Sequence, residues 1–116
     1  MTKRQAETAA KKLLKMMKGE GWEMCVWENL GWHYSVQNNP REDIWITVYP
    51  ACSKEWSAMI GIHQGSGVGR GVYADDPNDA VRRVIHKAKD FGVRCLQWAI
   101  DAEMFLNFGP CLRIKD

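Results

Sequence analysis

The sequence predicts an α+β fold in which an antiparallel meander sheet packs with helices, in the order α-β-β-β(-β)-α. Two observations support this class. Between residues 22 and 63, four runs alternate apolar and mixed side chains with a period of two, the pattern of strands. The flanking segments have the three-to-four-residue apolar spacing of amphipathic helices. A length of 116 residues is typical of one domain, so we expect residues 1–116 to form a single domain.

The basic first segment, residues 1–19, predicts a helix from Lys3 to Lys18. Its apolar residues recur at offsets of three and four and form one narrow stripe: Ala6, Ala10, Leu13, Leu14 and Met17. Gly19 is the expected C-cap, because glycine tolerates the positive φ at which many helices end.

The predicted sheet lies within residues 22–74 and contains three or four main strands. Asn29-Leu30-Gly31 predicts a hairpin turn between the first two. Residues 38–43 predict a longer turn, because Pro40 cannot occupy a central strand. Residues 72–74 are a candidate short edge strand. We expect both helices to cover the apolar face of the sheet, which carries Trp22, Trp32, Ile46 and Ile60.

The segment from Gly65 to Gly71 has glycine at every second position. It is followed by no Gly-Lys-Ser/Thr sequence, and no helix begins within it, so it lacks the features of a phosphate-binding loop. The pattern favours a flexible or tightly turning surface loop, with Arg70 at its tip available to a partner.

A strong helix start follows the sheet, with Asp76 as the N-cap and Pro77 at the first helical position. The helical pattern extends over residues 77–106. Unbroken, this helix would be about 45 Å long, more than so small a domain covers. We therefore expect a break or kink near Gly92, or an end that packs on a partner chain.

Charge is distributed unevenly along the chain. The net charge of +2 does not by itself indicate nucleic-acid binding, but residues 1–18 carry +5 and residues 20–63 carry −4. Lysines round an amphipathic helix are usually a solvated face, and phosphate contact is the alternative. The candidate nucleic-acid-binding residues are Lys11, Lys12, Lys15, Lys18, Arg82 and Arg83.

The mixed face of the strands is the candidate partner-binding site, because aromatic and hydrogen-bonding side chains combine large contact area with polar groups. The predicted partner-binding residues are Trp27, His33, Trp45, Tyr49, His63 and Arg70. Three alternatives stay open for this face: ordinary core under the second helix or residues 93–106, a homodimer seam, and a surface for a different macromolecule.

The candidate catalytic pair is Cys25 with His33 or His63 on the mixed face. Acid–base catalysis could use Glu23, or the pair Glu42 and Asp43, although carboxylates in a turn are more often solvated. No nucleophile signature surrounds any of the four cysteines, and no Cys-x-x-Cys pair or zinc-like spacing is present. The sequence therefore predicts a non-enzymatic protein with no metal and no cofactor. Reduced thiols, the lack of a signal-peptide pattern and the lack of a membrane-length apolar run predict a cytoplasmic protein without a membrane partner.

Three short motifs follow one another along the chain: Gly21-Trp22, Gly31-Trp32-His33-Tyr34 and Ala74-Asp75-Asp76-Pro77-Asn78-Asp79-Ala80-Val81. Their order resembles the phage ABA sandwich domain, a family of small, mostly uncharacterised phage and prophage proteins. The resemblance covers roughly Ala9 to Ala88 and leaves Val93 to Asp116 outside. It implies a protein of the bacterial or phage-infected cytoplasm and supplies no catalytic residues.

Size, this resemblance and the lack of catalytic motifs favour a phage-type accessory protein that binds a host macromolecule. Inhibition of a bacterial defence system, as by anti-CRISPR proteins, is one specific case. The alternative is a nucleic-acid-binding module that uses the basic first helix. The element order also resembles double-stranded RNA-binding domains, but those have a lysine cluster where this chain has Asp75, Asp76 and Asp79.

Overall fold

The structure is a computed structural model that describes residues 1–41, 44–62, 66–68 and 72–89. One helix precedes an antiparallel sheet and a second helix follows it, which confirms the α+β class. The elements are α1 (Lys3–Met16), β1 (Glu23–Glu28), β2 (Trp32–Arg41), β3 (Ile44–Pro50), a 3-10 turn (Cys52–Lys54), β4 (Trp56–Ile62), β5 (Ser66–Val68), β6 (Tyr73–Ala74) and α2 (Pro77–Lys89).

Helix α1 begins at a capping box, in which the Thr2 side chain accepts from the Gln5 backbone and the Gln5 side chain accepts from the Thr2 backbone. The helix ends at Met16, two residues before the predicted end. Met17 is already extended at the C-cap, and the positive φ of Gly19 (87°) falls in the connection rather than at the cap.

The sheet is more extensive than predicted, with six strands in the order β1-β2-β3-β4-β5 and β6 also paired to β4. All the pairs are antiparallel. The predicted glycine-rich loop contributes β5, and the candidate edge strand is β6. The two lie one after the other along β4, as an interrupted strand.

The predicted turn at residues 38–43 is wrong for its first part, because β2 continues through Pro40 to Arg41. The register between β2 and β3 shifts between Asn38 and Arg41. A bulge of this kind tolerates proline inside a strand, because the missing N–H falls where ladder pairing is already interrupted. The hairpin between β1 and β2 is confirmed, with positive φ at Leu30 and Gly31.

Helix α2 begins as predicted: the Asp76 carboxylate accepts from the Asn78 and Asp79 backbones, and Pro77 is the first helical residue. The predicted continuation to residue 106 and the break near Gly92 lie outside the described residues.

Both helices cover one face of the sheet, as predicted from the strand alternation. A single core joins their apolar stripes to alternate strand residues: Leu13, Val36, Ile44, Ile46, Val48, Ala58, Ile60, Ala80, Val81, Val84, Ile85 and Ala88. Trp22 and Trp56 pack against its margin. Because successive strand residues point to opposite faces, this core fixes which side chains lie on the other face.

Asn78 connects the two helices. Its side chain is 3% exposed, and its Oδ1 accepts from the Lys18 backbone N–H at 3.0 Å. Its Nδ2 donates to the Met16 carbonyl at 2.9 Å. One amide thus satisfies polar groups at the end of α1 from the first turn of α2.

Candidate partner-binding surface

The face of the sheet opposite α1 and α2 carries aromatic and small polar side chains, and we call it the aromatic face. Strand register defines its rows, because directly paired residues share a face. The cross-strand pairs on this face are Trp27–His33, Cys25–Ser35, Gln37–Thr47, Thr47–Met59, Tyr49–Ser57 and Ser57–Tyr73. Trp45 belongs to the same face, opposite Gly61.

The larger side chains of this face are not buried by either described helix. Trp27 is 42% exposed and Tyr73 is 48% exposed, while Trp45, Tyr49 and Met59 are half-buried. The alternative that α2 covers this face as core is therefore wrong, because α2 packs on the other side of the sheet. Residues 93–106, the other predicted cover, lie outside the described residues.

The face has little charge. Among the described strand side chains that point to it, Glu23 is the only charged one. The exposed cations Lys11, Lys12 and Lys15 lie on α1, on the opposite side of the sheet. The described residues of the two candidate sets, protein-binding and nucleic-acid-binding, therefore lie on opposite sides of the sheet.

Trp27 and His33 form a stacked pair on the aromatic face. Their rings stack with centroids 5.7 Å apart and planes inclined by 22°. The His33 Nε2 atom lies 2.8 Å from the Asn29 carbonyl, to which it donates as N–H. The hairpin backbone thus fixes the His33 ring, and that ring supports one side of Trp27.

Cys25 lies beside this stack, in an environment that disfavours a thiolate. Its Sγ is 3.6 Å from the Gln37 Oε1 atom. Burial raises the pKa of the Cys25 thiol above its ordinary value; a hydrogen bond with Ser35 opposes the change, and the Glu23 carboxylate adds to it. A nucleophilic cysteine needs the reverse shift. His33, its proposed catalytic partner, donates to the hairpin carbonyl instead.

The basic residues proposed for nucleic acid differ in their surroundings. Lys11, Lys12, Lys15 and Lys18 are exposed. Arg82 pairs with Asp79 one turn earlier on α2. The Arg83 Nη1 atom donates to the Tyr73 carbonyl at 3.0 Å, which fastens α2 to β6. Both arginines therefore have contacts within the fold.

Two of the predicted partner-binding residues, His63 and Arg70, lie outside the described residues. The other four share the aromatic face. Sequence reasoning did not assign Tyr73 to this surface, because a two-residue strand is too short to show alternation. Only its pairing with Ser57 places it there.

The described part of the chain contains neither a metal-binding cluster nor a membrane-spanning helix. There, no three His, Cys, Asp or Glu side chains are grouped so as to hold a metal ion. None of the described helices is long and apolar enough to cross a membrane. Comparison with known proteins found no matching family model, no matching curated protein and no matching solved structure.

Proposed function

We propose that this protein is a non-enzymatic binding protein whose aromatic face docks on another protein. The observation that carries the proposal is the partial exposure of Trp27 and Tyr73 on a face with a single described charge. Aromatic side chains are enriched at the centre of protein interfaces, where charged residues are depleted. A nucleic-acid surface would instead place several cations among its stacking rings. Lys3 does contact an aromatic ring, but that ring is Trp32, whose side chain belongs to the other face of β2.

The partner class follows from the sequence. The resemblance to small phage proteins favours a host protein in the bacterial cytoplasm, and a component of a defence system is the specific case. In that case the protein acts by occupying a surface of its target, as anti-CRISPR inhibitors do, so no catalytic residue is required.

The test is affinity capture from bacterial lysate with nuclease present throughout. Three forms of the full chain are compared: the wild type, the double variant Trp27→Ala/Tyr73→Ala, and Met16→Ala. Met16 is 43% exposed on α1, so its variant removes a similarly exposed apolar side chain from the other side of the molecule. We expect the same protein to be retained by the wild type and Met16→Ala and lost with the double variant. Equal retention by all three forms contradicts the proposal.

A second candidate function, nucleic-acid binding through α1, is supported by the exposure of its lysines. It predicts duplex binding that weakens steeply as salt rises, because lysine–phosphate contacts release counterions. The variant Lys12→Glu/Lys15→Glu should abolish this binding, whereas Trp27→Ala should leave it unchanged. Duplex binding that is insensitive to Lys12→Glu/Lys15→Glu contradicts this alternative.

A further inference from the structure

A pocket opens at the edge of the aromatic face, where β2 and β3 separate. The described pairing of these strands ends at Val36 and Val48, and the pocket lies beyond that point. Its volume is about 150 Å³. Five of its seven lining residues are aromatic, namely Trp27, Trp32, His33, Tyr34 and Tyr49, and the other two are Met1 and Pro50. An apolar cavity of roughly this volume holds one benzene molecule, so the pocket has room for a single ring.

The walls of the pocket are held in place before any ligand binds. The Trp27–His33 stack forms one wall, fixed through His33 to the hairpin carbonyl of Asn29. On another wall, the Trp32 backbone N–H donates to the Met1 carbonyl at 3.4 Å. A preformed site loses little conformational entropy on binding, which favours the insertion of a rigid side chain.

The Lys3 ammonium stands at the rim of the pocket, over the ring of the lining residue Trp32. The Lys3 Nζ atom lies 5.6 Å from the centroid of the Trp32 ring, and Arg4 follows it, exposed, in the first turn of α1. That turn contains no acidic residue. Two cations therefore stand at the positive end of the α1 dipole, an arrangement that disfavours the isolated helix and favours an incoming anion. Glu28, opposite Trp32 in the hairpin, offsets only part of this charge.

From these features we infer that the pocket receives one aromatic side chain of a partner protein, and that a carboxylate next to that side chain in the partner sequence contacts Lys3. This inference rests on the proposed function and specifies the anchor that the partner inserts. The ring supplies apolar burial and stacking against the aromatic walls. The carboxylate supplies the negative charge that the first turn of α1 lacks.

The experiment is an NMR titration of the full chain with three blocked tripeptides, Asp-Trp-Asp, Lys-Trp-Lys and Asp-Ala-Asp, followed at the indole N–H signals. We expect Asp-Trp-Asp to shift the Trp27 and Trp32 signals in a saturable way, and the other two peptides to bind at least about fivefold more weakly. Equal binding by Lys-Trp-Lys, or no shift of these two signals by Asp-Trp-Asp, overturns the inference. Tighter binding of a single-stranded oligothymidylate at the same signals also overturns it, in favour of a nucleobase site.

Two charge-reversal variants distinguish a contact at the pocket from a general effect of the protein's charge on peptide binding. Lys3→Glu should weaken Asp-Trp-Asp binding about fivefold. A glutamate at the N-terminus of α1 interacts favourably with the helix dipole, so the weaker binding would not be due to a destabilised helix. Lys12→Glu makes the same charge change about 13 Å further along the helix and on its opposite side, and should leave binding nearly unchanged. Equal weakening by both variants contradicts a contact at the rim. If Trp27→Ala/Tyr73→Ala abolishes protein capture but Asp-Trp-Asp shifts neither the Trp27 nor the Trp32 signal, the proposed function stands and only the pocket inference fails.

Discussion

Replacement of Asn78 by alanine should uncouple the two helices at the cost of a large part of the fold's stability. The side chain makes two hydrogen bonds, of 3.0 and 2.9 Å, to the Lys18 N–H and the Met16 carbonyl. Each is expected to contribute about 1 kcal/mol net. The Met16 carbonyl is in the last turn of α1 and has no intrahelical partner, and Lys18 lies beyond the end of the helix. Asn78→Ala should therefore lower the free energy of unfolding by about 2 kcal/mol.

Urea denaturation followed by far-UV circular dichroism measures this loss, and the slope of the transition should stay unchanged if the native and unfolded states bury the same surface. Asn39→Ala is the control, because Asn39 is an exposed asparagine of β2 whose side chain accepts only a long hydrogen bond, of 3.4 Å, from Gln37. It should change stability by less than about 0.5 kcal/mol. A loss of under about 0.5 kcal/mol for Asn78→Ala would refute the assignment of Asn78 as the connection between α1 and α2.

Three further predictions concern the alkaline limit of stability, the α2 cap and the core. Burial raises the pKa of Cys25 and that of Tyr34 above their ordinary values, so the folded state holds both protons more tightly than the unfolded chain. The stability that these protons contribute is complete below the ordinary pKa values and is lost as pH rises through the pKa values of the folded state. The free energy of unfolding should therefore fall in alkaline solution. Tyr34→Phe should reduce this fall, as measured by urea midpoints over a series of pH values. Asp76→Ala removes the acceptor at the start of α2 and should cost about 1 kcal/mol in the same denaturation assay; an unchanged midpoint would show that the cap contributes nothing. Ile60→Ala, at a residue 2% exposed in the core, should cost about 3 kcal/mol by thermal or urea unfolding, and a loss below about 1 kcal/mol would contradict its place under the helices.

The candidate site was partly predictable from the sequence because strand alternation is a local property. A period of two assigned Trp27, Trp45 and Tyr49 to one face without knowledge of which strands are neighbours. The pocket was not predictable in this way. Trp32 belongs to the opposite face of β2 by alternation, and it lines the pocket together with Trp27 only because the pocket lies at the end of the strands, where both faces meet the edge.

Two buried asparagines show a different limit. Asn38 was expected in a turn, yet it is 1% exposed in β2, with its Nδ2 donating to the Glu20 carbonyl at 2.8 Å. Asn78 carried no signal beyond its place in the first turn of a helix. Both bond to backbone groups that are 18 or more residues away in sequence. Hydrogen-bond partners so far apart in sequence are determined by tertiary packing, which a local sequence pattern does not predict.

By itself the sequence determined the fold class, the two faces of the sheet and the start of each helix, because periodicity and capping depend on residues within a few positions of one another. Only the tertiary structure decided the pairing of Ser66–Val68 with β4, the continuation of β2 through Pro40 and the contact of Lys3 with Trp32. Short glycine-containing strands and bulges have no period of their own. They form where a neighbouring strand has unpaired N–H and C=O groups, and such a strand is adjacent only once the chain has folded.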